Sequence, residues 1–278
     1  MFAIALMAAA TFLEEGANTL GKRAVARRIE SIYALGFLSL FWGSIVMVCS
    51  VLFFGADWHF SKASLPYFIP RMILEIIVAT VSVKALITAE RSSFAFIKLV
   101  TIPLLLAVDL MIGYPVKAVQ MLGVLVIFGA VVGLLTTHTM SKKGVGYVLL
   151  SSCLAVITIS LFKYDISHYN SVAAEQIIMY LILLGYFTFM GWFYRHENTW
   201  RYLLRARPEE QSLLSGLGIA ISSFAYGLAP ASIVVAAQRG TALLWAILFG
   251  NVYFHERHLY MKFVAYGLVV SGLILLVI

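Results

Sequence analysis

Several residues able to do chemistry sit in otherwise apolar stretches of this chain. Thr11, Glu14, Glu15, Asn18 and Lys22 recur every three to four residues, which would place them along one face of a helix. Carboxylates and an amide so arranged can bind a polar solute, and Glu14 or Glu15 can carry a proton; they can equally balance a cation on a neighbouring helix. A second group comprises Lys98 and the adjacent Gln238 and Arg239, suited to an anionic group. A third, His255-Glu256-Arg257-His258, sets two imidazoles beside a carboxylate, as a zinc site would. Its histidines are three apart, however, whereas the helical HExxH signature has them four apart, and polar turns have the same composition. The turn reading is preferred and no metal site is expected.

The elements that must hold these groups follow from composition. The chain has 278 residues, of which 62% are hydrophobic and 12% charged, against about half and about a quarter in soluble domains. Uncharged runs such as 31–56, 119–140 and 144–162 reach the roughly 20 helical residues needed to cross a bilayer, and none alternates like a barrel strand. An all-α integral membrane protein in the cell membrane is expected. The net charge of +7 comes mainly from short connectors, so it reports topology and not nucleic-acid binding. Cys49 and Cys153 each lie in apolar runs and offer no disulfide or metal framework.

Charged and Pro/Gly-marked clusters divide the chain into ten spans near 1–21, 31–55, 66–87, 91–111, 117–138, 144–163, 171–194, 210–229, 231–253 and 259–278. The opening stretch lacks a basic leader and a small-residue cleavage site, and is read as a retained first span. Lys and Arg concentrate in alternate connectors: Lys22, Arg23, Arg27 and Arg28; Lys84 and Arg91; Lys142 and Lys143; Arg195, Arg201, Arg205 and Arg207; and Arg257. By that bias these connectors are cytoplasmic and both termini lie outside.

Ten spans make two sets of five, residues 1–139 and 140–278, and an odd number per set makes the second insert upside down. A shift of 140 pairs Ala85 with Ala225, Ala89 with Ala229, Thr101 with Thr241 and Leu104 with Leu244, and it sets Lys98 opposite Gln238. Both halves also end in a span, a very short turn and a Gly-punctuated span: FIKLVTIPLLLAVDLMIGYPVKAVQMLGVLVIFGAVVG and AAQRGTALLWAILFGNVYFHERHLYMKFVAYGLVVSG. These segments resemble the paired fourth-fifth and ninth-tenth spans of the EamA family of the drug/metabolite transporter superfamily. Glu256 occupies the family's turn-glutamate position, with Gly267 and Gly272 after it. In the first half Gly113, Gly123 and Gly129 match, but Tyr114 replaces the glutamate. The resemblance implies ten transmembrane helices as two inverted five-helix repeats, and basic residues on the fourth and ninth spans that serve anionic substrates.

The charge buried at each intramembrane position costs roughly 2.5–3.5 kcal/mol, so those that persist face a partner, the bundle interior or a cavity. The expected site gathers Glu14, Asn18, Lys98, Gln238 and Arg239, with Trp245 one face-repeat after Gln238, and Tyr226 beside Ser222 and Ser223 on the eighth span. The competing reading is structural: Lys98 paired with Glu14, and Arg239 with Glu175. Arg71 and Glu75, four apart, are expected to form a local ion pair. Glu256 is expected to favour the N-terminus of the last helix, and the Gly129–Gly133 spacing allows close helix approach within the chain or in a homodimer. The expected function is secondary transport of a small polar or anionic metabolite through the bilayer by alternating access, possible with proton coupling through Glu14 or Glu15, or by exchange. Absence of an ATP-binding motif excludes a primary pump, and no cofactor is expected. The alternatives are export of neutral or cationic compounds, a scaffold, and an intramembrane enzyme acting on lipid; no Ser/His/Asp constellation favours the last.

Overall fold

The computed structural model describes residues 2–111, 117–136, 142–228 and 231–277. Gly113 and Tyr114, compared above with the family's turn, lie outside them. The described residues form α1 (Phe2–Ala26), α2 (Ile32–Phe54), α3 (Leu65–Thr88), α4 (Arg91–Lys98), α5 (Thr101–Met111), α6 (Ala118–Thr136), α7 (Val145–His168), α8 (Val172–Arg195), α9 (Ala206–Leu228), α10 (Ala231–Phe254) and α11 (Leu259–Val277), with two short 3-10 turns and no strand. Six stretches, Ile32–Phe53, Arg91–Val108, Val145–His168, Val172–Arg195, Ile233–Phe254 and Leu259–Leu276, are long and apolar enough to cross a bilayer. The chain is thus an all-α, multi-pass membrane protein. The long helices outside that set, α1, α3 and α9, owe their polarity to Glu14, Glu15 and Lys22, to Arg71, Glu75 and Lys84, and to Glu209 and Glu210.

Local chemistry sets the helix ends. The hydroxyl of Ser31 accepts from the amides of Tyr33 (3.2 Å) and Ala34 (3.0 Å) at the start of α2, and Ser171 does the same for Ala174 (3.2 Å) at α8. Gly144 introduces α7 at φ 78, where a Cβ would come within 2.8 Å of the Ala89 amide, so both conformation and space require glycine.

The sequence reading expected one span over 91–111. Instead the helix breaks between α4 and α5, and Pro103 supplies the reason: it has no N–H for the Leu99 carbonyl, and its ring crowds that carbonyl. The chain answers with a tighter turn. Leu99 N donates to Phe96 O (3.1 Å), Val100 N to Ile97 O (3.1 Å) and Ile102 N to the stranded Leu99 O (2.9 Å), while the Thr101 hydroxyl donates to Lys98 O (2.7 Å). Lys98 is therefore the last residue before a break.

Helices pack in long pairs: α1 along α9, α2 along α8 and α9, α3 along α7, α6 along α11, and α10 against α1, α4 and α5. Two crossings depend on glycine. Gly43 and Gly216 bring α2 and α9 together backbone to backbone, and a Cβ on Gly272 would meet the Gly123 carbonyl at 2.7 Å where α6 crosses α11. Gly129 and Gly133, the pair expected to mediate close approach, are exposed, and a Cβ on either would meet no atom of another helix within 4 Å, because the α6 stripe that meets α11 carries Gly123, Ile127 and Ala130.

Candidate functional site

Between these helices lies a cavity of about 350 Å³, within the range of small-molecule sites. Glu14, Glu15 and Asn18 reach it from α1, Lys98 from the end of α4, Tyr226 from α9, and Gln238 and Arg239 from α10. The α1 stripe thus faces one chamber because its residues share a helix face, and the broken helix sets Lys98 against the same space. Ser39, Glu75, Ser82, Thr158 and Ser215 complete the polar lining.

The two cations are held differently. The Lys98 ammonium lies 4.6 Å from the Phe94 ring centre, a cation–π contact. Arg239 donates through Nε to Thr101 Oγ1 (3.3 Å), in the turn just after Lys98. Among the described residues neither forms an ion pair, so both expected structural pairs are absent: Glu14 does not bridge to Lys98, and Glu175 is taken by Arg71. Glu14 Oε1 is buried without a partner. Glu15, by contrast, pairs with Arg91, a fully buried cation that the sequence reading assigned to a connector. The Thr11 hydroxyl donates to Thr241 Oγ1 at 2.8 Å, tying α1 to α10.

Trp245 does not line the cavity. It packs edge-on to Phe12 at 4.8 Å and stacks with Phe249 at 6.1 Å, because seven residues beyond Gln238 the helix has carried its face past the chamber. Tyr180 also turns away, sharing a hydrogen bond with Ser223 (2.9 Å). Glu75, missed as a site residue, was assigned to a local pair with Arg71. Spacing of four allows such a pair but cannot exclude a better partner on another helix, and Arg71 bridges to Glu175 of α8.

The His255–His258 segment is a turn. His255 (φ 50) ends α10 in the left-handed conformation and His258 (φ 62) repeats it before α11. Glu256 does not serve the last helix through its free amides. It reaches α4, accepting from the amides of Arg91 (2.6 Å) and Ser92 (3.3 Å) and from the Ser92 hydroxyl, and it pairs with Lys262 of α11 at 3.0 Å. The physical reason is that α4 begins opposite the turn with unsatisfied amides, and a carboxylate there also meets the positive helix end. Burial raises this carboxyl, but the Ser92 hydrogen bond, the Lys262 charge and the Arg91 amide outweigh it and hold the group below its ordinary value.

Among the described residues, no three or more His, Cys, Asp or Glu side chains gather as metal ligands would. No protein-family model matches this chain, and no curated protein matches it significantly.

Proposed function

We propose that the chain is a secondary transporter of the EamA type, with ten spans in two inverted five-helix repeats, moving a small polar or anionic metabolite by alternating access. The observation that carries this reading is the chamber in which Lys98 and Arg239, both free of ion pairs among the described residues, meet Glu14, Asn18 and Gln238. Holding unpaired cations inside an apolar bundle is costly, and an anionic ligand would offset that cost. With Glu14 and Glu75 ionised the chamber is near neutral; a proton on Glu14 leaves excess positive charge for the anion, which supports entry of proton and substrate together.

The helix pairing supports the repeat. Counting α4 and α5 as one span, exchange of the first five spans with the second turns α1–α9 into α7–α3, and returns α2–α8, α4/α5–α10 and α6–α11 onto themselves, all of them packed pairs. One couple differs in kind: α2 meets α9 backbone to backbone at Gly43 and Gly216, whereas its counterpart α8 meets α3 through side chains, in the Arg71–Glu175 pair, the Thr80–Tyr186 hydrogen bond (2.7 Å) and the packing of Phe68 with Met179. The basic connectors support a cytoplasmic location for their end of the bundle.

The test is uptake into proteoliposomes of a panel of metabolite anions, with and without a pH gradient. Lys98→Gln and Arg239→Gln should each weaken anion binding at least about tenfold, the size of a lost charge-assisted hydrogen bond, with thermal stability unchanged. Full anion affinity in both variants would move the site to Glu14 and Glu75 and favour export of a cation.

A further inference from the structure

A second buried ionic cluster lies beyond the chamber. Arg71 of α3 (4% exposed) pairs with Glu175 of α8, which is fully buried, and its guanidinium lies 4.4 Å from the ring centre of Phe162 of α7. Phe162 in turn packs edge-on to the cavity-lining Tyr226 at 5.7 Å, so these two rings separate the cluster from the chamber. Asn170, between α7 and α8, donates to Glu175 Oε2 at 3.4 Å and accepts from the Ser61 amide at 3.0 Å. One turn below Phe162 is Asp165, fully buried, with both carboxylate oxygens unpartnered.

The count of charges is uneven. One guanidinium faces two carboxylates, and Glu175 already holds it. Asp165 lies within electrostatic reach of Arg71 and Glu175, and of the Tyr67 hydroxyl on α3. Glu75, one turn along α3 from Arg71, faces the chamber; Lys163 on α7 donates to the Tyr226 carbonyl (2.9 Å); and Tyr180 on α8 is engaged with Ser223. Among these only Arg71 is a cation within reach of Asp165, it is held by Glu175, and none donates a hydrogen bond to the Asp165 carboxylate. Burial without a partner favours the protonated form of such a carboxyl.

The helices suggest when that changes. α3 runs along α7 and meets α8 where Arg71 holds Glu175, where Phe68 packs with Met179, and at the Thr80–Tyr186 hydrogen bond (2.7 Å). Separation of α8 would leave Arg71 beside Asp165, which travels with α3.

We propose that Asp165 binds a proton while this end of the bundle is closed, and that Arg71 exchanges Glu175 for Asp165 as the end opens. The movement rests on the alternating-access reading; the proton site does not. On opening, the guanidinium displaces the proton from Asp165 to the water entering the gap, and Glu175, now facing that water, stays ionised. The closed form therefore holds one proton more than the open form. Rising pH at this face favours opening.

The experiment uses the full chain in detergent micelles with Cys49 and Cys153 replaced by Ser. A single reporter, Met179→Cys, sits on α8 where Met179 packs against Phe68 of α3, and its alkylation by a water-soluble maleimide reads separation of the two helices. In this parent the rate, divided at each pH by that of the same thiol in the unfolded chain to remove the thiolate's own pH dependence, should rise with pH by up to about tenfold per pH unit, the limit for release of one proton, and the variants are compared on the same scale. Asp165→Asn, which mimics the protonated acid, should melt no lower than the parent and label slowly at every pH. Glu175→Gln leaves Arg71 only Asp165 and should label fast throughout. A parent rate that ignores pH, an Asp165→Asn variant that keeps the parent profile, or slow labelling of Glu175→Gln would overturn the proposal. So would a parent rate set by sodium at fixed pH, which would make the ligand a metal cation. No transport is measured, so a flat rate beside intact uptake would sink this proposal alone, and pH-dependent rates without uptake would sink the transporter reading alone.

Discussion

Glu256 and Glu30 are both buried acids near the ends of helices, yet their environments push them in opposite directions. Glu256 has donors on three sides and a value below the ordinary one, so its contribution to stability is present at neutral pH and lost as pH falls through the carboxylate range. Glu256→Gln should strand Lys262 and the first amides of α4, lowering stability by about 3–5 kcal/mol in thermal unfolding, with part recovered in the double variant carrying Lys262→Met. Glu30, in the connector between α1 and α2, has Oε2 buried and unpartnered; burial raises it from 4.5 to about 7, and only Arg205 draws it down. A raised carboxyl favours the fold at low pH, and that contribution is lost as pH rises through about 7. Glu30→Gln should therefore raise the melting temperature at alkaline pH, by the equivalent of at most about 3 kcal/mol, and leave it unchanged in acid. A flat difference between parent and variant across pH would refute this.

The broken fourth helix is the element on which the chamber depends. Without the gap that Pro103 forces at the Leu99 carbonyl, Thr101 would not turn its hydroxyl toward both Lys98 O and Arg239. Pro103→Ala permits the missing hydrogen bond and should straighten α4 into α5. Stability is then expected to rise by up to about 3 kcal/mol, while anion affinity falls about tenfold as Lys98 leaves its position. A variant that is more stable and still binds anions like the parent would show that the break does not position Lys98. The legible part of this device was the proline; the break itself required knowing that the freed carbonyl had Ile102 as an alternative donor.

At the scale of the whole molecule, alternating access requires the α2–α9 contact, which borders the chamber, to loosen in one state of the cycle. Ser215 donates to the Ser39 carbonyl at 2.9 Å across that contact. Cysteines at Ser39 and Ser215, joined by a short reducible cross-linker, should arrest transport, and reductant should restore it; undiminished uptake in the cross-linked protein would exclude separation at this seam. Orientation has its own check. Trp200, half exposed in the densest basic connector, should as Trp200→Cys react with an impermeant reagent only after cell lysis. Equal labelling in intact cells would reverse the orientation.

Composition and periodicity alone determined that this is a helical membrane protein and where its helices lie to within about five residues, except for the break that divides 91–111 into α4 and α5, and they marked Glu14, Glu15, Asn18 and Lys98 as polar positions within apolar runs. Those properties are legible because each depends on neighbours within one or two helical turns. Opposite partners are not. Glu15 found Arg91 across 76 residues, Arg71 passed over Glu75 for Glu175 across 104, and Glu256 reached Arg91 across 165. A helix announces its polar face through spacing, but which helix stands opposite is decided by packing. Glycine crossings such as Gly43 with Gly216 fix that choice, and with it which charges are paired and which are left free in the chamber.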